Sequence, residues 1–347
     1  MAKTKRKWWV RLLRGVGFTL AGIIGLFGLA LGGYAGISHI VCGQYYKESS
    51  KAFKMPGLSD GVIHQGLDYD ERSSSFFMCG YMLDDSASRL YVVNKASGDA
   101  KMLKFAKADG SAFNGHAGGV AVNGDYIYLA GSSSGCVYVY SYAEAISASN
   151  GDSIRSLGEY LVKTDNDKIR VSFTGISENR LILGEYYKSE KSYSTPKNHH
   201  VQTADGEAGG IAIGIPFSDS ADAIFGLAPQ ADIAYSLPNL TQGVTSHNGR
   251  FYASTSAGLS YSKIYNYDLS QAKNVGNTSI IDLILPTYAL DTSCLIAVKT
   301  TLPMAEELVV VDDEMYISTE SASKRFLFGN LLGARYMWKT DISFFEN

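Results

Sequence analysis

The sequence lacks most of the signals that mark the common enzyme classes. It has four cysteines, Cys42, Cys79, Cys136 and Cys294. No two are spaced as C-x-x-C, which argues against a zinc site built on cysteine. No Walker loop, H-E-x-x-H pair or Rossmann glycine fingerprint occurs. Asp165-Asn166-Asp167 lacks the glycine and the distal glutamate of an EF-hand loop. Helix signals are scarce beyond residue 45; Tyr142 to Ser149 is the best short stretch and reads as a loop.

Acid is missing from residues 1–14, which carry Lys3, Lys5, Arg6, Lys7, Arg11 and Arg14. Asp, Glu, Lys and Arg are then all missing from Gly15 to Val41. That run exceeds the roughly 20 residues that span a bilayer as a helix, and a helix satisfies its own backbone groups in lipid. The basic head predicts a cytoplasmic N-terminus, with Trp8 and Trp9 at the interface and everything after about Tyr45 outside. A cleaved signal peptide is the rival, but its apolar region is about 7–15 residues, and Tyr34-Ala35-Gly36 is a poor cleavage site. Cys42 invites a lipoprotein reading, yet His39-Ile40-Val41 lacks the small residues that should precede the lipidated cysteine. Gly28, Gly32 and Gly36 share one helix face, a spacing that lets two helices approach closely. Glycine is also simply common in membrane helices.

The domain organisation is therefore a basic head (1–14), a transmembrane helix (15–41), a linker (42–60) and one large domain (61–347). The chain has 31 Lys and Arg, six of them in the head, against 34 Asp and Glu. The outer part is thus near −9, which argues against nucleic acid or anionic lipid as its main partner. An oxidising exterior permits disulfides, although spacing cannot set their pairing; plain thiols without a role are the simpler reading. The 23 tyrosines and 36 glycines suit an all-β protein with many tight turns.

Five segments repeat one pattern: a polar start, a glycine or small residue, an apolar alternation, a turn and a second alternating strand. They begin near residues 64, 116, 174, 242 and 305. Examples are His116-Ala117-Gly118-Gly119-Val120 before the turn Asn123-Gly124-Asp125, and Gln242-Gly243-Val244 before His247-Asn248-Gly249. Third strands follow, as at Cys136 to Tyr140, Lys263 to Tyr267 and Arg325 to Phe328, with weaker fourth strands such as Tyr336 to Lys339. Asn-Gly and Asp-Asp are hairpin chemistry. Four strands in each unit of about 50–70 residues predict propeller blades. The fold expected is an all-β propeller of five blades, preceded by one transmembrane helix. Glu207 to Ile213 echoes His116 to Val122; it is either a third strand after an inserted loop or a blade start that makes six.

Leu302-Pro303-Met304-Ala305-Glu306-Glu307 followed by Tyr316 to Ser321, and Gln242-Gly243-Val244 followed by Ser254 to Leu259, resemble bacterial secreted or membrane-tethered propellers. These are broadly of the NHL-like and gluconolactonase-like kind. The resemblance covers about residues 60–342 and implies fold rather than reaction. Calcium-binding enzymes of the gluconolactonase group carry a Glu, Asn and Asp set on the axis. Only Glu306 or Glu307 matches here, so their activity is not implied.

The innermost strand of a blade lines the central channel, so His64, Gln65, His116, Thr174, Gln242 and Glu306 are expected at one axial ring. Glu320, closing the second strand of the last blade, either joins them or caps a loop. Such a ring can bind a polar ligand, a divalent metal such as calcium, or supply a general acid or base. It can equally bind ordered water and satisfy backbone groups. His199-His200, in the polar insert 189–205, reads as solvated. Gly131-Ser132-Ser133-Ser134-Gly135 matches G-x-S-x-G, but strands flank it where a nucleophile elbow needs a strand and a helix.

The function expected is a binding or scaffolding module at the cell surface, its ligand a surface protein or a polysaccharide. The alternatives are an extracytoplasmic hydrolase or lyase using the axial pocket, and an accessory subunit of an envelope complex. The other expected contacts are the membrane, through one helix, and a second copy through the glycine face.

Overall fold

A computed structural model describes residues 2–132 and 134–347. Helix α1 (Ala2–Val41) leads directly into a short helix α2 (Gly43–Glu48) and then into a ring of five four-stranded β-sheets. Its stretch Trp8–Val41 is long and apolar enough to cross a membrane, and the most apolar window of that stretch touches no other part of the protein.

Strands run consecutively from the inside of each blade outward. The first blade is Val62–Asp70, Ser75–Met82, Arg89–Asn94 and Ala100–Ala106, and the second is Val120–Asn123, Tyr126–Ala130, Cys136–Ser141 and Ser153–Leu161. The third is Phe173–Ser177, Arg180–Gly184, Gly210–Pro216 and Ile233–Leu237, and the fourth is Thr241–His247, Arg250–Thr255, Ser262–Asp268 and Leu295–Thr301. The fifth blade supplies only Ala305–Val311, Glu314–Thr319 and Tyr336–Asp341 from the C-terminal end of the chain. Its outer strand is Ser49–Lys54, antiparallel to Tyr336–Asp341 with Ser49 opposite Thr340 and Lys54 opposite Tyr336. The ring is closed by the segment that follows the apolar helix.

Hairpin chemistry explains the inner pairs. Glu178-Asn179, Asn248-Gly249 and Asp312-Asp313 all have positive φ at both positions, the backbone that matches the right-handed twist of a two-residue hairpin. Each of the five blade interfaces then has its own apolar cluster. Phe77, Leu103, Phe105 and Ile127 lie between the first and second blades, and Tyr128, Leu181, Ile213 and Leu227 between the second and third. Phe173, Tyr235, Phe251 and Tyr267 lie between the third and fourth. Phe53, Phe76, Met78 and Tyr316 lie between the fifth and first. The cluster between the fourth and fifth blades, with Tyr252, Leu308 and Met315, also takes in Ala35, Cys42 and Tyr45 from the two helices. Leu31 and Tyr34 pack against the same cluster, so the end of α1 is part of the domain's core.

Several expectations are corrected, while the expected count of five blades and the reading of the cysteines as plain thiols hold. The linker 42–60 contains α2 and the closing strand Ser49–Lys54. Arg325 to Phe328 is not a strand; Leu327–Leu331 is a short helix and Tyr336–Asp341 is the third strand of that blade. Tyr142–Ser147 is a helix, capped by the Ser141 hydroxyl, which accepts from the Glu144 N–H. The segment resembling a sixth blade start is the third strand Gly210–Pro216 after an inserted loop, so the count is five. A second insertion, the hairpin Lys273–Ile280 and Leu283–Ala289, leaves the fourth blade and pairs on the outer edge of the third. The four cysteines are free and buried.

Candidate functional site

The repeat places a glycine near the axis in four blades: Gly66, Gly119, Gly175 and Gly243. The corresponding position in the fifth is Glu307. A side chain at Gly119 would put its Cβ 2.0 Å from Glu307 Oε1, and one at Gly243 would lie 2.5 Å from Glu307 Cα. Gly119 and Gly243 vacate space that Glu307 fills, while Gly66 and Gly175 let the neighbouring blade's backbone at Val120 and Val244 approach. Glu307 Oε2 accepts from the backbone N–H of Leu67 at 2.8 Å and of Val120 at 3.0 Å. Its Oε1 accepts from the Thr174 N–H at 2.7 Å and the Thr174 hydroxyl at 3.0 Å. Burial pushes its pKa up to about 8, against the pull of these hydrogen bonds.

Beside this plug the axis opens into a cavity of about 770 Å³ at the face formed by the ends of the second strands. Five of the expected ring residues line it: Gln65, His116, Gln242, Glu306 and Glu320. Gln242 Nε2 donates to Glu306 Oε1 at 3.3 Å, and the Tyr81 hydroxyl donates to Glu320 Oε1 at 3.1 Å. The Tyr81 ring stacks on His116 with centroids 4.7 Å apart. Burial, then the neighbouring carboxyls Glu320 and Glu307, hold the Glu306 pKa well above its ordinary range. Burial also raises Glu320, opposed by the Tyr81 hydroxyl and Arg325. Burial lowers His116, so its imidazole is neutral at pH 7.

Two expected ring residues are elsewhere. His64 is fully buried between the first and fifth blades, its Nε2 2.8 Å from the Pro56 carbonyl and its ring against Tyr91. The pairing slips between His64 and Leu67 as it does between Ala305 and Leu308, so His64 is equivalent to the buried Ala305, while the next residues, Gln65 and Glu306, face the cavity. Thr174 is taken up by Glu307 in the plug. Among the described residues, no group of three or more His, Cys, Asp or Glu can hold a metal ion.

The sequence reading did not single out the cavity walls. Tyr81, Tyr186, Tyr193 and Phe326 supply rings, and Arg170, Lys188 and Arg325 supply cations. Most sit at the ends of second strands or in loops, where the signal was only the position after each Tyr- or Ser-rich strand end. The insert expected to be solvated is folded. His199 is fully buried, with Nδ1 2.8 Å from Glu185 Oε2 and Nε2 2.9 Å from Asp167 Oδ1. Glu185 also accepts from the backbone N–H of Arg170, a cavity residue. His200 pairs with Glu207 and Thr195. Ser132 lines the cavity, while Ser133, the central serine of the G-x-S-x-G match, lies outside the described residues.

No protein-family model and no curated protein sequence matches the chain. Among solved structures, the glutaminyl cyclase of Myxococcus xanthus is similar at 11% identity and a TM-score of 0.42, over 84% of this chain and 94% of that one. The PQQ-bound aldose sugar dehydrogenase of Streptomyces coelicolor aligns at 12% identity and a TM-score of 0.42, over 80% and 92%. BamB of Moraxella catarrhalis aligns at 10% identity and a TM-score of 0.33, over 80% and 84%. At these distances the chemistry of the cavity rests on this chain's own residues. A floor of two amides, an imidazole whose pKa is lowered and two carboxyls whose pKa values are raised offers hydrogen-bond donors and acceptors. The walls add flat apolar faces and the cations Arg170, Lys188 and Arg325.

Proposed function

We propose that the protein is a membrane-anchored extracytoplasmic binding module whose axial cavity takes a polar, hydroxyl-rich ligand such as a segment of polysaccharide. The observation that carries this reading is the composition of the cavity. The amides and carboxyls on the floor suit hydroxyls as hydrogen-bond partners, and the rings of Tyr81, Tyr186 and Tyr193 offer the apolar faces that a sugar ring packs on. Anchoring is supported by the apolar helix behind six basic residues. It is also supported by the packing of Leu31, Tyr34 and Ala35 against the domain, because cleavage near residue 36 would remove these contacts. The test is binding of a panel of polysaccharides to the full chain in detergent. Binding that falls at least tenfold in Gln242→Ala and in Tyr186→Ala is the expected result. Binding that neither substitution alters overturns the reading.

A second reading is favoured by one specific feature. Glu306 and Glu320 face one cavity and each holds its proton above the usual range, a property suited to general acid catalysis. A hydrolase or lyase would lose turnover in Glu320→Gln while keeping its affinity; a pure binding module has no turnover to lose.

A further inference from the structure

The cavity and the apolar helix meet at one side of the ring. Ala257 and Gly258 line the cavity, and the next residue, Leu259, accepts through its carbonyl from the Tyr34 hydroxyl at 2.8 Å. Arg325 and Phe326 line it too, and they lead into the short helix Leu327–Leu331. Phe328 of that helix packs edge-on against the Tyr34 ring at 5.4 Å, and the Leu331 carbonyl lies 3.1 Å from His39 Nε2. Both loops are therefore fixed against the stretch of α1 between Tyr34 and His39.

That stretch has a definite depth in the bilayer. Arg14 is the last charge before the apolar run, and at 1.5 Å per residue Tyr34 stands about 30 Å beyond it, the thickness of the hydrocarbon core. The uncharged run continues to Val41. Ile37, Ile40 and Val41 stay exposed at 57%, 81% and 45%. The last turns of α1 thus present apolar side chains away from the domain while the domain's loops cover the other side. On those loops Leu259, Leu327 and Leu331 are themselves 58%, 57% and 48% exposed, flanked by the exposed cations Lys324 and Arg325. At the opposite end of the ring the turns between first and second strands are Glu71 to Ser74, Asn123 to Asp125, Glu178-Asn179, Asn248-Gly249 and Asp312-Asp313, all polar and several acidic.

We infer that the cavity-bearing face lies on the outer leaflet of the membrane that α1 spans, with Leu259, Leu327 and Leu331 dipping into it. The inference rests on the anchored reading above and adds an orientation to it. The cavity then opens at headgroup depth, and its ligand is met at the membrane surface rather than in bulk solution. Lys324 and Arg325 stand at the contact, and the exposed acids of this face, Asp84 and Asp85, lie on the turn after Ser75–Met82 of the first blade.

The test uses the full chain in phosphatidylcholine nanodiscs, with one spin label at a time on Leu259→Cys, Leu327→Cys, Leu331→Cys, Ile24→Cys or Asn248→Cys. The native cysteines are buried, so the introduced site takes the label. Collision with oxygen relative to a water-soluble nickel chelate reports depth. The expected result is a ratio at the three rim sites several-fold above that at Asn248→Cys and below that at Ile24→Cys. Rim ratios equal to that at Asn248→Cys, with Ile24→Cys in lipid, overturn the orientation and leave the anchor standing. A water-like ratio at Ile24→Cys overturns both.

Discussion

Glu307 on the last blade receives two hydrogen bonds from Thr174 on the third, one from its backbone at 2.7 Å and one from its hydroxyl at 3.0 Å. With Leu67 and Val120 the same carboxylate ties four of the five innermost strands to one point, its own included. Other bonds between innermost strands, such as Val122 N–H to Asp68 Oδ2 at 2.6 Å and Gln242 to Glu306, join neighbouring blades in pairs, so this group acts as a staple.

Removing the staple has a calculable cost. Glu307→Ala leaves three buried N–H groups without an acceptor, and each orphaned donor costs about 1–3 kcal/mol. Denaturant unfolding should show a loss on the order of 3–9 kcal/mol. Glu307→Gln should lose less, because its one carbonyl oxygen still serves two donors. Gly119→Ala should resemble Glu307→Ala, since its methyl would occupy the place of Oε1. Equal stability of Glu307→Ala and the parent would refute the staple.

His199 makes the insert sensitive to pH. Burial disfavours its charge, but the hydrogen bonds and charges of Glu185 and Asp167 outweigh that and raise its pKa. Asp167 shifts the other way, its pKa lowered as its hydrogen bonds from Ile281 and His199 outweigh burial. A raised histidine gives stability that is complete below its unfolded pKa of about 6.5 and is lost as pH rises through the folded value. His199→Gln should therefore destabilise the protein more at pH 6 than at pH 9. A penalty that does not change over that range would show that the imidazole is not charged here.

These residues show what was readable in the sequence. The recurring glycines, the hairpin turns and the alternation of Tyr126 to Ala130 are local, so blades and ring followed from them. Ser49–Lys54 was not readable as a strand: Ser-Ser-Lys-Ala-Phe-Lys has one large apolar residue, as an outer edge strand can, and its partner lies nearly 290 residues on. Gln65, His116, Gln242, Glu306 and Glu320 reached the cavity because the channel position is set by the repeat. His64 did not, because it is the position before Gln65, equivalent to Thr241 and Ala305, and all three are buried away from the cavity that their neighbours Gln65, Gln242 and Glu306 line. Glu307 was next to a residue chosen for the ring, and only its glycine counterparts in the other blades distinguish it.

Phe53 tests the closure of the ring. It is the buried residue of the outer strand Ser49–Lys54 and packs on Phe76 at 5.4 Å, across the junction of first and last blades. Phe53→Ala should cost about 3–5 kcal/mol, visible as a lower Tm and as early hydrogen exchange in Tyr336–Asp341. Loss of stability without exchange in that strand would place the weak point elsewhere.

The axial carboxyls impose a pH dependence opposite to that of ordinary surface acids. Glu306, Glu307 and Glu320 all have raised pKa values, burial being the first cause in each case. The folded protein therefore holds protons that the unfolded chain gives up near the usual carboxyl value of about 4.3. Stability from these groups is complete below that value and declines as pH rises towards the folded ones, about 8 for Glu307. Glu306→Gln removes one of the three titrations while its amide oxygen can still accept from Gln242. The variant should be more stable than the parent at pH 8, similar at pH 4, and flatter between them in a Tm-against-pH series. A polar ligand that donates to ionised carboxyls, or a cation, would restore stability at high pH by replacing the lost protons. Ligand-induced stabilisation that grows from pH 5 to pH 8 in the parent, and shrinks in Glu306→Gln, would locate the bound molecule against this side chain. An identical slope in both proteins would mean that Glu306 is already ionised and that the cavity floor carries a charge.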